Sequence, residues 1–125
     1  SKMFVEGVEL NRMGQNLTLA RYPIHWHLVG DAAGQYIRNA AIHDTYNRCV
    51  TVHGTHNLQI ENNVTYNTVG HCFFMEDGTE IYNLLDRNLD HELPDTRKYY
   101  FLAEQHMRGY LSTEMLFNFA NSFYC

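Results

Sequence analysis

Short runs of alternating apolar and polar residues, broken every few positions by Asn, Asp, Gly or Thr, fill the first two thirds of the chain. Alternation with period two puts successive side chains on opposite faces of a strand, and no stretch there keeps a helical period. Val8-Glu9-Leu10, Leu17-Thr18-Leu19, Ile24-His25-Trp26-His27 and Val50-Thr51-Val52-His53 are such runs. When IRNAAIHDTYNRCVTVHG, from Ile37, is set against IENNVTYNTVGHCFFMED, from Ile60, the offset is 23 residues. Asn39 then meets Asn62, Cys49 meets Cys72, Val50 meets Phe73 and Val52 meets Met75. An earlier coil aligns His27 with His53 at an offset of 26, with Gly30 to Gly34 expected to absorb the surplus.

A fixed period in the twenties, with like residues on like and Asn recurring at turns, indicates coils stacked along an axis in place of a hairpin meander. The pattern predicts an all-β chain, a right-handed single-stranded parallel β-helix of three to four coils over residues 1–85. From Leu85 the repeat fades, and 86–125 is read as a C-terminal tail. Within it, 96–107 and 112–120 are expected as short helices, with Asp95 and Ser112 as caps, shielding an open sheet end.

Strand parity then places the chemistry. If Ile24, Trp26 and Leu28 face the core, His25 and His27 face out; Val50 and Val52 go in while Thr51 and His53 go out; Phe73 and Met75 go in while Phe74 and Glu76 go out. Coils stack about 4.8 Å apart and alternate strand residues lie about 6.5 to 7 Å apart. His27, His53 and Glu76 therefore form a column, with His25, Thr51 and Phe74 beside it. Imidazoles and a carboxylate at such spacing can converge on a divalent ion or relay protons near neutral pH. The plainer alternative is that each is a polar residue on a wet sheet. Glu76 and Asp77 are candidate glycosidase carboxylates, and work together only if the strand ends there, as Gly78 suggests. His56 and His71 flank this face at turns, and Arg21 and Arg48 offer a cationic edge for an acidic sugar. His43, aligned with Tyr66, reads as structural, and His91 and His106 carry no pattern.

Composition narrows the partners. With 125 residues, 45% hydrophobic and 18% charged, the chain supports one folded unit. A formal charge of −5 without clustered Lys and Arg excludes an electrostatic nucleic-acid binder. No apolar run approaches the roughly 20 residues that span a bilayer, so no membrane contact is expected of this segment. The start at Ser1, already within a strand pattern, leads us to expect a piece of a larger chain. Cys49 and Cys72, one coil apart, are candidates for a disulfide or a buried thiol stack, the disulfide being favoured. Asn16-Leu17-Thr18 and Asn63-Val64-Thr65 are sequons that lean towards an extracellular setting.

The stretches RYPIHWHLVGD, YNRCVTVHGTHNL and GHCFFMEDGTE closely resemble the β-helix region of the cell surface hyaluronidase and cell-migration-inducing hyaluronan-binding protein family, which has fibrocystin-like relatives. The resemblance covers about residues 5 to 83, and the tail departs from it. It implies an extracellular or membrane-anchored parent at the cell surface, binding hyaluronan or another acidic polysaccharide, in some members depolymerising it with a divalent metal ion, calcium or a transition metal. The matching stretches carry His25, His27, Asp31, Arg48, His53, His56, His71, Glu76 and Asp77. On this reading His25, His27, His53 and Asp31 are metal ligands, Glu76, Asp77 and His53 are catalytic, and Arg21, Arg48, His56 and His71 bind substrate. A glycan- or protein-binding module without catalysis is the competing expectation.

Overall fold

Eleven strands, three complete turns of three and the first two strands of a fourth among the described residues, build a three-sided coil. The computed structural model describes residues 1–91; the expected tail helices and His106 lie outside them. The first face stacks β1 (Phe4–Glu6), β4 (Tyr36–Arg38), β7 (Gln59–Glu61) and β10 (Leu84–Asp86); the second stacks β2 (Glu9–Asn11), β5 (Ala41–His43), β8 (Val64–Tyr66) and β11 (Leu89–His91). The third holds β3 (Ile24–Asp31), β6 (Val50–His56) and β9 (Phe73–Met75). Every pairing is parallel, as a chain that climbs one rung per turn requires.

The expected registers are all present: Ile37 pairs with Ile60, Trp26 with Val52, His27 with His53, Val52 with Met75. Inward residues form one core stripe through Trp26, Ile37, Ile42, Val50, Val52, Ile60, Phe73 and Met75. Corners turn through left-handed residues at equivalent places, with Gly7, Asn39, Asn62 and Arg87 after the first face and Arg12, Asp44 and Asn67 after the second. Asn recurs there because its short amide tolerates positive φ and bonds its stacked neighbour, as Asn62 Nδ2 does to Asn39 Oδ1 at 2.7 Å. Buried Asn side chains cross-link coils where strand hydrogen bonds stop. Asn63 accepts from Ala40 N (3.1 Å) and donates to Ile37 O (3.2 Å); Asn83 accepts from Leu58 N and donates to Thr55 O; Asn88 donates to Ile60 O.

Five expectations need correction. The repeat does not stop at Leu85: β10 and β11 continue it to His91, with Asn88 one coil above Asn63. Leu17 to Leu19 form no strand but a loop on which Leu17 is 95% and Leu19 75% exposed. Leu28 does not enter the core, because β3 bulges there: Leu28 and Val29 together face Gly54, and Leu28, at φ 51°, is 62% exposed. Part of the surplus assigned to Gly30 to Gly34 is therefore taken up earlier. The Cys49–Cys72 disulfide is not made, and Cys49 is a buried thiol; stacked in-register residues project their Cβ atoms in parallel, whereas a disulfide needs them turned together. The Asn63 sequon is closed, since Asn63 is fully buried with its amide engaged in the core.

His43 is structural, as expected. Its ring stacks on Tyr66 at 4.5 Å and 5°, with Nδ1 at 2.8 Å from Asp44 and Nε2 at 2.8 Å from Glu9. The hydrogen bonds to Asp44 and then to Glu9 hold its pKa above the ordinary value. A histidine whose folded pKa is raised contributes stability that is complete below its unfolded value, about 6.5, and fades as pH rises through the folded one. His43→Gln should therefore lower the melting temperature clearly at pH 6, with the gap to wild type shrinking by pH 9; a gap that widens with pH would contradict this linkage. Gly54 tests the bulge. At φ +52°, with an added Cβ only 2.6 Å from Leu28 Cδ2, Gly54→Ala is expected to cost about 1 to 3 kcal/mol, mostly backbone strain since the exposed Leu28 side chain can turn aside. Chemical denaturation measures it, and an unchanged midpoint would show that the bulge relaxes freely.

Candidate metal and acid–base site

On the outer side of the third face, β3 and β6 deliver His25, His27 and His53, while the chain just past β9 delivers Glu76 and Asp77. Parity holds the three imidazoles on one side because Ile24, Trp26, Val50 and Val52 are fixed in the core. Thr51 lies on the same side but is fully covered, in register between His25 and Phe74.

One ring nitrogen from each histidine falls within 4.8 Å of the others. The rings of His27 and His53 meet edge to face at 4.7 Å with their Nδ1 atoms 3.0 Å apart, and His25 lies parallel to His53 at 6.4 Å. Glu76 leans between two of them, its Oε2 being 3.8 Å from His25 Nε2 and 3.7 Å from His53 Nδ1. Those are too long for hydrogen bonds, and His25 Nε2 and Glu76 Oε2 are both buried with no hydrogen-bond partner among the described residues. Ligand atoms on a tetrahedral ion with bonds of about 2.0 to 2.2 Å lie about 3.3 to 3.6 Å apart. Three of the six edges between the four donors, at 3.0 to 3.8 Å, bracket that value, and the three ring nitrogens all lie within 4.8 Å of one another. The donor set fits a small divalent cation.

Electrostatics favour the same reading. Burial holds the His25 pKa below its ordinary value, while a hydrogen bond to the Ala20 backbone and the charge of Glu76 pull the other way. A neutral ring anchored through one nitrogen and presenting the other is the form a metal requires. Asp77 Oδ2 is 3.1 Å from His53 Nε2, so the two ring nitrogens of His53 face Glu76 and Asp77 respectively. Because β9 ends at Met75, both carboxylates reach one histidine, which strand alternation would have prevented.

The remaining expected site residues divide. Asp31 does not join the histidines: the bulge and Gly30 swing it onto a corner, where Oδ1 accepts from Ala33 N (3.0 Å) and Asn57 Nδ2 (2.9 Å), lowering its pKa, the Asn57 bond first. His56, its partner in register, accepts from Ile81 N at 3.0 Å and serves the same corner. Arg21 is exposed on the loop before β3, its backbone bonded to Gln15 and Thr18. Arg48 and His71 do come to the face. The Arg48 guanidinium lies 3.8 Å over the Phe74 ring and 5.4 Å from that of Tyr22, with Nη1 donating to Tyr22 Oη at 3.0 Å. His71 packs on Phe74 at 5.0 Å. Tyr22 and Phe74 carry as much of this edge as the charges do, and the sequence reading missed their role although parity placed Phe74 outward. Glu80 was also missed: it is buried, and its Oε1 accepts from Gly54 N (2.9 Å) and Asp77 N (3.2 Å), fixing the loop that carries Asp77.

Comparison with known proteins agrees with this architecture. Human Fibrocystin-L is 51% identical over 86 residues, which is 68% of this chain and 2% of that protein. Mouse Cell migration-inducing and hyaluronan-binding protein is 51% identical over 92 residues, 68% of this chain and 7% of that protein. Communication mutant protein F of Dictyostelium discoideum is 43% identical over 88 residues, covering 70% of this chain and 8% of its own length. The chain thus spans less than a tenth of these relatives. A family model described as CEMIP beta-helix matches residues 1–116, past Leu85, where the sequence pattern fades. The chain belongs to the CEMIP β-helix family.

Proposed function

We propose that the third face of this β-helix is the working surface of an extracellular or cell-surface protein that binds hyaluronan and cleaves it by metal-assisted glycoside hydrolysis. The observation that carries the reading is the convergence of His25, His27 and His53 with the buried Oε2 of Glu76, which has no hydrogen-bond partner among the described residues. The likeness to a relative named as hyaluronan-binding supplies the substrate class.

His25, His27, His53 and Glu76 would hold a divalent cation, which when bound supplies positive charge able to polarise a sugar oxygen. Asp77 is the acid–base group. It is more exposed than Glu76, at 43% against 20% for the side chains, so it can meet a glycosidic oxygen, while His53 Nε2 holds its outer oxygen and stabilises the carboxylate between proton transfers. Glu80, bonded to the Asp77 backbone, positions it. Retention of glycan without cleavage is the second reading, favoured by the likeness to a relative whose name says that it binds hyaluronan.

Calorimetry with zinc, manganese and calcium, coupled to hyaluronan sizing, tests the site. Wild type should bind one ion per chain, and His27→Ala/His53→Ala should bind at least 100-fold more weakly. Equal metal binding and undiminished depolymerisation by the double variant would remove the proposal. Asp77→Asn should keep metal affinity within about threefold while the cleavage rate drops 100-fold or more, the usual scale for losing a general acid or base. Cleavage at the wild-type rate would exclude Asp77, and absence of cleavage by wild type with intact binding would select the second reading.

A further inference from the structure

At the corner before the third face, three successive turns enclose a cleft of about 320 Å³, lined among others by Leu17, Leu19, Tyr22, Arg48, Val69 and His71. The volume suits a small ligand. Its outer wall is the loop between β2 and β3, which is built in place. Asn47 Nδ2 donates to Gln15 O and Thr18 O, both at 2.9 Å, and Tyr46 N donates to Met13 O at 2.9 Å. Gly14, at φ +87°, lets the loop lie so close that an added Cβ would stand 3.1 Å from Asn47 Cβ. Leu17 and Ala20 hold positive φ on the same loop. A tied-down, strained loop that keeps Leu17 and Leu19 in solvent contributes nothing to the core; such strain persists where the surroundings enforce it, commonly at binding sites.

Arg48 supplies the second observation. Arg38 pairs with Glu6 and Arg87 with Asp86, but Arg48, half-buried, makes no ion pair with a carboxylate among the described residues. Its guanidinium is held by the Phe74 face and the Tyr22 hydroxyl. A partly desolvated cation with aromatic packing and no counter-ion, beside apolar walls, is half of a recognition site for an anion that also carries an apolar group.

We infer that this cleft is a subsite for a uronate joined to an N-acetylhexosamine, the uronate carboxylate on Arg48 and Tyr22 and the acetamido methyl against Leu19 and Val69. The inference deepens the hyaluronan reading above and rests on it for the substrate class, but not on the metal. Tyr22 also meets His25 edge-on at 5.0 Å, so the subsite opens directly beside the three histidines. A chain seated here is led towards Asp77.

The full chain, kept in EDTA, should be titrated with a hyaluronan hexasaccharide, the same oligomer with carboxyl groups reduced to alcohols, an N-deacetylated oligomer, and a glutamate-rich peptide. The hexasaccharide should bind, with at least tenfold loss on carboxyl reduction and on deacetylation and no competition from the peptide. Arg48→Gln should lose at least tenfold and become indifferent to carboxyl reduction. Because Arg48 also packs on rings, Leu19→Asp and Val69→Asp, both at exposed positions, should lose a similar factor with unchanged melting temperatures. Equal binding of the reduced oligomer, effective competition by the peptide, no hexasaccharide binding, or wild-type affinity in folded Leu19 and Val69 variants would each overturn the assignment. Because this titration is run in EDTA, with no cation bound, and the metal site is tested by calorimetry without saccharide, loss of the metal reading and loss of the subsite are separable.

Discussion

Hydrogen bonds between coils in exact vertical register are what the rest of this structure depends on. The chain buries a narrow core only one side chain deep from each face, and no coil could hide its apolar residues without the coils above and below. Corners are the weak points, because a turning backbone cannot continue the ladder. Buried Asn63, Asn83 and Asn88 close those gaps, each amide bonding to backbone of the coil below. A buried amide left unsatisfied costs on the order of 1 to 3 kcal/mol, so these residues stabilise only while the register is kept. They fix it for the same reason: a slip by one residue would orphan every one of them.

Register is also why so much could be read from residue order. Once Ile37 lies over Ile60 and Val50 over Phe73, the depth of His27, His53 and Glu76 in the stack follows from counting. Parity served up to His27 and failed at Leu28, where a bulge inserts a residue whose only mark in the sequence is the glycine opposite it, Gly54. That failure carried Asp31 and His56 with it, since both lie beyond the bulge and face a corner in place of the trough. The fourth coil was missed for another reason. Its strands, Leu84–Asp86 and Leu89–His91, are three residues long and read as no run, although Asn88 follows Asn63 at the coil spacing. Loops such as 17–19 mimic strand alternation locally, and only the absence of a stacking partner distinguishes them.

The bulge has a structural consequence at the site. By letting Leu28 and Val29 share one opposing residue, it ends the regular outward row after His27, so the imidazoles sit at the margin of a flat sheet and not in its middle. Glu80 closes the far side by binding Gly54 N and Asp77 N together, tying the bulge's partner to the acidic loop. Two devices at one level thus define the edge of the trough: a strained leucine in the first coil and a buried carboxylate in the third.

Charge across the face is arranged in opposite halves. On one side stand two carboxylates and three imidazoles, of which His25 is held towards neutrality by burial, leaving that half in need of positive charge. On the other stands Arg48, without a carboxylate partner among the described residues, leaving its half open to negative charge. The two halves do not satisfy one another: Arg48 forms no ion pair with Glu76 or Asp77 and is held on Phe74 and Tyr22. Cation–π packing of about 0.5 to 2 kcal/mol suffices to hold a guanidinium in place but does not neutralise it. Separation of unlike charges by an aromatic spacer is the arrangement a surface needs if it is to take up a cation at one end and a carboxylate at the other.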